Sequence, residues 1–197
     1  MKKAIVWLAL VLVVPFAAAA CTTALVVIDV QEAFVEEYGW DTTSTDQDIV
    51  DAVADLLALA RGAGVHVIHI QQLGSPLNTT ADDPRAQFPD SIAPLEGEAV
   101  FEKRLPDVFT VDAFEEFLVE HGIERLLVAG IASQCVHLTL ATGHMRGYET
   151  IMIADAHSAE DGTPEGAEAM NQLWRDTRKT VIPMNEIPWG EFACTDD

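Results

Sequence analysis

The chain has 197 residues and 49% of them are hydrophobic, so it can build one domain with a full core and is too apolar to be disordered. Its 32 Asp and Glu residues outnumber its 11 Lys and Arg residues, which gives a formal net charge of −21. Because that charge repels nucleic acid and anionic lipid, we expect neither to be a partner.

The first twenty residues have the composition of a secretory signal peptide. Lys2 and Lys3 are basic, residues 4–16 are apolar but too few to span a bilayer comfortably, and residues 17–20 are all Ala. We expect residues 1–20 to be removed, leaving one domain over residues 21–197 in the periplasm or outside the cell. Cys21 raises the alternative of a lipid-anchored protein; otherwise it is an ordinary residue near the cleavage site.

The remaining chain alternates between apolar runs typical of buried strands and amphipathic runs typical of helices. Residues 23–30 are almost all apolar and rich in β-branched side chains, which is the pattern of a strand buried on both faces of a parallel sheet. The polar connection over residues 73–98 is long enough to predict a lid or a wall of a substrate site. We predict strands over residues 23–30, 65–71, 99–103, 123–129, 150–154 and 180–183, and helices over residues 45–61, 112–121, 133–146 and 161–174.

This alternation predicts a single three-layer α/β/α domain around a doubly wound, mainly parallel, six-stranded sheet of Rossmann-like type. Functional sites of such folds lie at the carboxyl ends of the strands. Asp29, Lys103 and the segment 130–135 each follow a predicted strand, so we expect them to meet at one edge of the sheet. Taken singly, Asp29 could be a solvated strand end or a helix cap, and Lys103 a surface lysine.

The segment 130–135, GIASQC, joins a predicted strand to a predicted helix. Free backbone N–H groups and the positive end of the helix dipole favour a thiolate at such a turn, and the same N–H groups could hold an oxyanion. The position of Cys135 therefore predicts a nucleophile, and the alternative is a buried structural cysteine. Ser133 is the expected N-cap of the helix.

Four motifs occur in order along the chain: VIDVQ with Phe34, EKRLP with Phe109, VAGIASQCV, and IADAHS, which begin at residues 27, 102, 128 and 153. Any one of them is weak evidence. Together, over about residues 23–183, they resemble the isochorismatase-like cysteine hydrolases, the group that includes nicotinamidase, N-carbamoylsarcosine amidohydrolase and biuret hydrolase.

The resemblance implies a catalytic triad of Asp29, Lys103 and Cys135. In such an enzyme Cys135 attacks a small amide, ureide or related C–N compound and forms a thioester, while Asp29 moves the proton. Lys103 and the helix end are expected to lower the pKa of the thiol. The backbone N–H groups of Ala132 and Cys135 would form the oxyanion hole, aimed by a cis peptide bond between Ile131 and Ala132.

The sequence departs from nicotinamidases after the second strand, where those enzymes carry an Asp-x-His metal cluster. Here the segment 71–74 reads QQLG, so we expect no metal and no cofactor. The resemblance also implies a homo-oligomer with a small-molecule substrate. Candidates for the substrate pocket stand beside motif residues, although each could equally pack in the core: Phe34, Gln71, Phe109 and Val136.

Two other functions remain open at this point. One is a hydrolase of the isochorismatase chemical type, in which Asp29 acts as an acid and no covalent bond forms. The other is a binding protein on the same scaffold. Replacement of Cys135 by Ala would keep most activity in the first case, and no turnover would be found in the second.

Overall fold

The computed structural model describes residues 22–177 and 179–192; the expected signal peptide, Cys21 and Cys194 lie outside them. The strands are β1 Thr23–Ile28, β2 His66–Gln72, β3 Ala99–Lys103, β4 Arg125–Gly130, β5 Glu149–His157 and β6 Thr180–Ile182. The α-helices are α1 Ile49–Gly62, α2 Asp112–Glu120, α3 Ser133–Met145, α4 Pro164–Asp176 and the short α5 Trp189–Phe192. No helix in the described ranges is long and apolar enough to cross a membrane.

All six strands are parallel neighbours in one sheet, in the order β3-β2-β1-β4-β5-β6. The central strand β1 is fully buried and feeds two cores because its side chains alternate between the faces. Leu25 and Val27 pack with the apolar face of α1, whereas Val26 and Ile28 pack with residues of α2, α3 and α4. The predicted α/β fold with helices on both faces is confirmed.

The strand register brings the functional candidates to one edge of the sheet. Ile28, the last residue of β1, pairs with Ile70 of β2 and Gly130 of β4. Gln72 at the end of β2 pairs with Lys103 at the end of β3. Because the strands are parallel, the residues that follow or end them share the carboxyl edge.

Element boundaries differ from the prediction where side chains or strand pairing decide them. Helix α1 begins at Ile49 rather than at residue 45, because the Asp48 side chain accepts hydrogen bonds from the next turn and caps the helix. Strand β5 runs on to His157, which pairs with Gly130 after an irregularity in the register. The long connection after β2 contains two short 3₁₀ turns, Pro84–Ala86 and Asp90–Ile92.

Candidate active site

Asp29, Lys103 and Cys135 come together at the carboxyl edge of the sheet. Lys103 Nζ lies 2.6 Å from Asp29 Oδ2, and both side chains are at most 1% exposed. The same ammonium group lies 3.5 Å from Cys135 Sγ. The negative charge of the Asp29 carboxylate also acts on this thiol and raises its pKa. A carboxylate, an ammonium and a sulfur therefore form one contiguous, largely buried group.

A glutamine provides a second oxygen contact to the lysine. Gln72 Oε1 accepts a hydrogen bond of 2.6 Å from Lys103 Nζ. Its Nε2 donates to the carbonyl oxygens of Leu73 and Ser75, each at 2.9 Å, and this fixes which end of the amide faces the ammonium. Gln31 Oε1 in turn accepts from the Gln72 backbone N–H at 2.7 Å. Lys103 is thus clamped between one ionic and one neutral oxygen.

The backbone at Asp29 and Gly130 turns sharply where the two central strands end. Asp29 has φ +54°, a left-handed conformation that costs a residue other than glycine about 1–3 kcal/mol and that clusters at functional sites. Gly130 has φ +119°, and a methyl group there would collide with the backbone of Ile28. The two turns bring the cysteine segment against the carboxylate.

The expected cis peptide bond between Ile131 and Ala132 is wrong. The one cis bond in the described ranges joins Ser75 to Pro76. A cis bond before a residue other than proline costs about 2.5–4 kcal/mol. The chain reverses without it, because Gly130 takes a positive φ and the Ile131 N–H donates to Ile28 O at 2.7 Å.

The first turn of helix α3, which contains Cys135, leaves backbone N–H groups without acceptors. Ala132, not Ser133, occupies the N-cap position, and no side chain of this turn caps the helix. The Gln134 N–H donates to Glu160 Oε1 at 2.9 Å. Within the described residues no acceptor is found for the N–H groups of Ala132 and Cys135. These two donors are available to an oxyanion.

The expectation of a lowered thiol pKa is wrong for the resting protein. Burial and, after it, the negative charge of Asp29 raise the pKa of the Cys135 thiol to about 12, and Lys103 opposes this only in part. Burial also raises the pKa of the Asp29 carboxyl against the lowering effect of Lys103. The thiol therefore keeps its proton, and a carboxylate of increased basicity lies beside it.

A cavity of about 110 Å³ opens onto this group. Asp29, Ala132 and Cys135 are among its lining residues. Among the predicted pocket residues, Phe34 lines it and lies parallel to Trp40, with ring centroids 5.3 Å apart. Its other lining residues are Gln72, Ser75, Pro76, Pro106, Ile131, Gln134 and Glu160. The segment after β2, predicted to be a lid or wall, contributes Ser75 and Pro76.

Three of the predicted pocket residues are not among those that line the cavity. Successive residues of a strand face opposite sides of the sheet, so Gln71 and its neighbour Gln72 point in opposite directions. Gln72 lines the cavity, whereas Gln71 donates to Ala86 O at 2.8 Å. Phe109 and Val136 are buried in the apolar core beneath α3. Proximity in sequence to a motif residue did not give proximity to the cavity.

Sequence reasoning missed Gln72 and Glu160. Both stand at or just after the carboxyl end of a strand, which is the signal that had selected Asp29 and Lys103. Gln72 is adjacent to Gln71, and only the register with β3 decides which of the two faces the lysine. Glu160 follows β5, the strand beside β4, and so reaches the start of α3.

Comparison with known proteins shows which family the chain is similar to. Residues 23–182 match the Isochorismatase domain family. A streptothricin hydrolase of Streptomyces noursei is 34% identical over 70% of this chain and 55% of its own length, so the chain spans about half of that relative. A ureidoacrylate amidohydrolase of Azorhizobium caulinodans is 30% identical over 72% of this chain and 78% of its own length.

Two further proteins are similar over most of their own length. The secreted isochorismatase effector Isc1 of Verticillium dahliae is 32% identical over 75% of this chain and 78% of the effector. A crystal structure of an isochorismatase family protein from Desulfovibrio vulgaris superposes with a TM-score of 0.73 at 26% identity, covering 83% of this chain and 95% of that one. The family match, the shared fold and these relatives lead to one conclusion: the chain belongs to the isochorismatase family of hydrolases.

Proposed function

We propose that the protein is a cysteine-dependent hydrolase of a small amide, ureide or related C–N compound. The observation that carries the proposal is the contact of Lys103 Nζ with both Asp29, at 2.6 Å, and Cys135 Sγ, at 3.5 Å, beside a cavity. A relative named for amidohydrolase activity supports the same reaction class. The size of the cavity suits a small substrate.

In the first half of the reaction, Asp29 takes the proton of the Cys135 thiol as the sulfur attacks the carbonyl carbon of the substrate. The carbonyl oxygen becomes an oxyanion, which the N–H groups of Ala132 and Cys135 stabilise. When the C–N bond breaks, the nitrogen takes the proton from Asp29. Ammonia or an amine leaves, and the acyl group remains on sulfur as a thioester.

In the second half, water attacks the thioester and gives its proton to Asp29. The acid leaves, and the thiolate recovers the proton from the carboxyl group. Throughout the cycle Lys103 balances the charge of Asp29 and of the departing sulfur, which a buried site requires because an unpaired charge there is costly. The raised pKa of Asp29 fits a base that must bind and release a proton in each half.

The test is ammonia release by the purified protein from a panel of small primary amides and ureides. We expect turnover by the natural chain and a loss of at least about 10³-fold in Cys135→Ser. Cys194→Ser is the matched control for removal of a thiol and should keep its rate. Full activity of Cys135→Ala would contradict the covalent route and favour the non-covalent isochorismatase chemistry.

The same proposal includes export and removal of residues 1–20. Support comes from the basic, apolar and alanine-rich segments at the amino end and from a relative named as secreted. Expression of the full chain in a Gram-negative host should give a periplasmic product that begins at or near residue 21 by mass spectrometry. A lipidated Cys21 in the membrane fraction would indicate the lipoprotein alternative, and an uncleaved cytoplasmic product would contradict export.

A further inference from the structure

The charge of the cavity lining comes from one rim carboxylate. Asp29 is paired with Lys103, and the Cys135 thiol is neutral, so these groups add no net charge. The remaining ionisable side chain of the lining is Glu160, which is exposed at the rim. Among the described residues that line the cavity, none is Lys, Arg or His. Glu160 accepts a hydrogen bond from the Gln134 N–H and, among the described residues, is the one charged group of the lining without an ionic partner.

An aromatic wall also borders the cavity. Phe34 and Trp40 lie parallel, with an interplanar angle of 10°, and Tyr38 packs against Trp40 at 4.9 Å between ring centroids. The face of an aromatic ring attracts cations, most strongly for Trp. Phe34, Trp40 and Glu160 all line the cavity, so an aromatic surface and a carboxylate border the same space, a combination that favours a positively charged group.

The described lining offers no cationic side chain for a substrate carboxylate. Carboxylate groups are usually bound by Arg or Lys through charge-assisted hydrogen bonds. Arg104 approaches Gly74, the residue before Ser75 of the lining: a methyl group on Gly74 would lie 3.2 Å from Arg104 Nη1, but Arg104 is not itself among the lining residues. An anionic substrate would face Glu160 without a partner, and that repulsion would select against it.

We propose that the site selects amides whose non-reacting end carries a positive charge, bound between Glu160 and the Phe34–Trp40 wall. The inference rests on the proposed amide hydrolysis and specifies its substrate class. Glu160 is then a specificity-determining residue as well as the acceptor for the Gln134 N–H.

The test uses three primary amides of equal length: 3-aminopropanamide, butanamide and succinamate, which are cationic, neutral and anionic. We expect kcat/KM for ammonia release to fall in that order, with the cation about tenfold ahead of the neutral amide. Glu160→Gln keeps an oxygen acceptor for Gln134 and removes the charge, so the ratio of cation to neutral should fall towards one. Glu120→Gln removes a charge from the exposed face of α2 and should leave that ratio as it is.

Binding gives a second readout that does not need turnover. Ligand-observed NMR with the Cys135→Ser protein should detect 3-aminopropanamide more strongly than succinamate, and Glu160→Gln in that background should weaken the difference. A preference for succinamate in either assay that disappears in Arg104→Gln would mean that Arg104 binds the substrate carboxylate. This result would overturn the charge proposal and leave amide hydrolysis intact. Cys135-independent turnover, or none across the wider amide panel, would instead overturn the proposed function.

Discussion

A thiol with a pKa near 12 reacts slowly until a base removes its proton. At Cys135 the proposed base also contributes to the high pKa, because burial raises the pKa first and the negative charge of Asp29 then disfavours the thiolate further. Proton transfer to Asp29 would remove that repulsion as the sulfur becomes charged. On this account the nucleophile is activated during the reaction with substrate rather than kept ionised at rest.

Alkylation measures this resting state. Because the thiol is protonated at pH 7–9, iodoacetamide should modify Cys135 more slowly than a thiol in the denatured chain, at a rate that rises with pH. Asp29→Asn removes the negative charge that raises the thiol pKa, so the folded variant should react faster than the natural chain at pH 8. Equal or slower alkylation of a folded Asp29→Asn protein would contradict this interpretation; circular dichroism checks the fold.

The adjacent glutamines Gln71 and Gln72 provide a matched pair of substitutions. Gln72→Ala removes the neutral acceptor of a buried ammonium, which should cost about 1.5–3 kcal/mol of stability and lower kcat because Lys103 is displaced. Gln71→Ala removes a hydrogen bond to Ala86 O, but that oxygen still accepts one from Gln31 Nε2. This variant should therefore lose about 0.5–1.5 kcal/mol of stability and little activity. Urea unfolding and ammonia release measure both; equal losses would count against a positioning role for Gln72.

At the scale of elements, the two central strands meet at Gly130. Beyond this point the chain must leave β4 and start α3 within three residues, close against β1. Gly130 allows both the positive φ and the approach to Ile28, where no side chain would fit. The position of Cys135 relative to Asp29 therefore depends on the backbone of this turn.

A second matched pair separates close approach from backbone conformation. Gly147 has φ +97° but no neighbour where a methyl group would lie, so Gly147→Ala should cost only the strain of about 1–3 kcal/mol. Gly130→Ala adds the collision with Ile28 and should cost more than about 4 kcal/mol and abolish activity. Urea unfolding measures the loss of stability in both variants. Similar losses would contradict the claim that the close approach of Gly130 to Ile28 is required.

How far the sequence predicts these elements depends on what decides each of them. The central strands are buried and have a long apolar pattern, which located them, and the short edge strands β3 and β6 were found from their place in the alternation of strands and helices. The rule that sites lie at carboxyl ends brought Asp29, Lys103 and Cys135 together. Helix starts depend on single capping contacts such as that of Asp48. The register between β2 and β3 decides which glutamine faces Lys103, and the strand order decides that Glu160 contacts the start of α3. Local sequence patterns contain neither kind of information.

For the whole molecule, the distribution of charge identifies the site. In residues 22–177 and 179–192, Asp29 and Lys103 are the only buried members of the Asp, Glu, Lys and Arg classes, and the other described charged side chains are partly or fully exposed. A buried ion pair contributes little to stability and is often replaceable by apolar side chains. Its presence at the carboxyl edge of the sheet is better explained by chemistry than by folding.

The central claim is that Cys135 becomes covalently bound to the acyl group of the substrate. Acid quenching during turnover of an amide found in the ammonia assay, followed by peptide mass spectrometry, measures this directly. The account predicts that the peptide containing Cys135 gains the mass of the acyl group and loses it on treatment with hydroxylamine. Turnover with no adduct on that peptide, and with activity retained in Cys135→Ala, would contradict it.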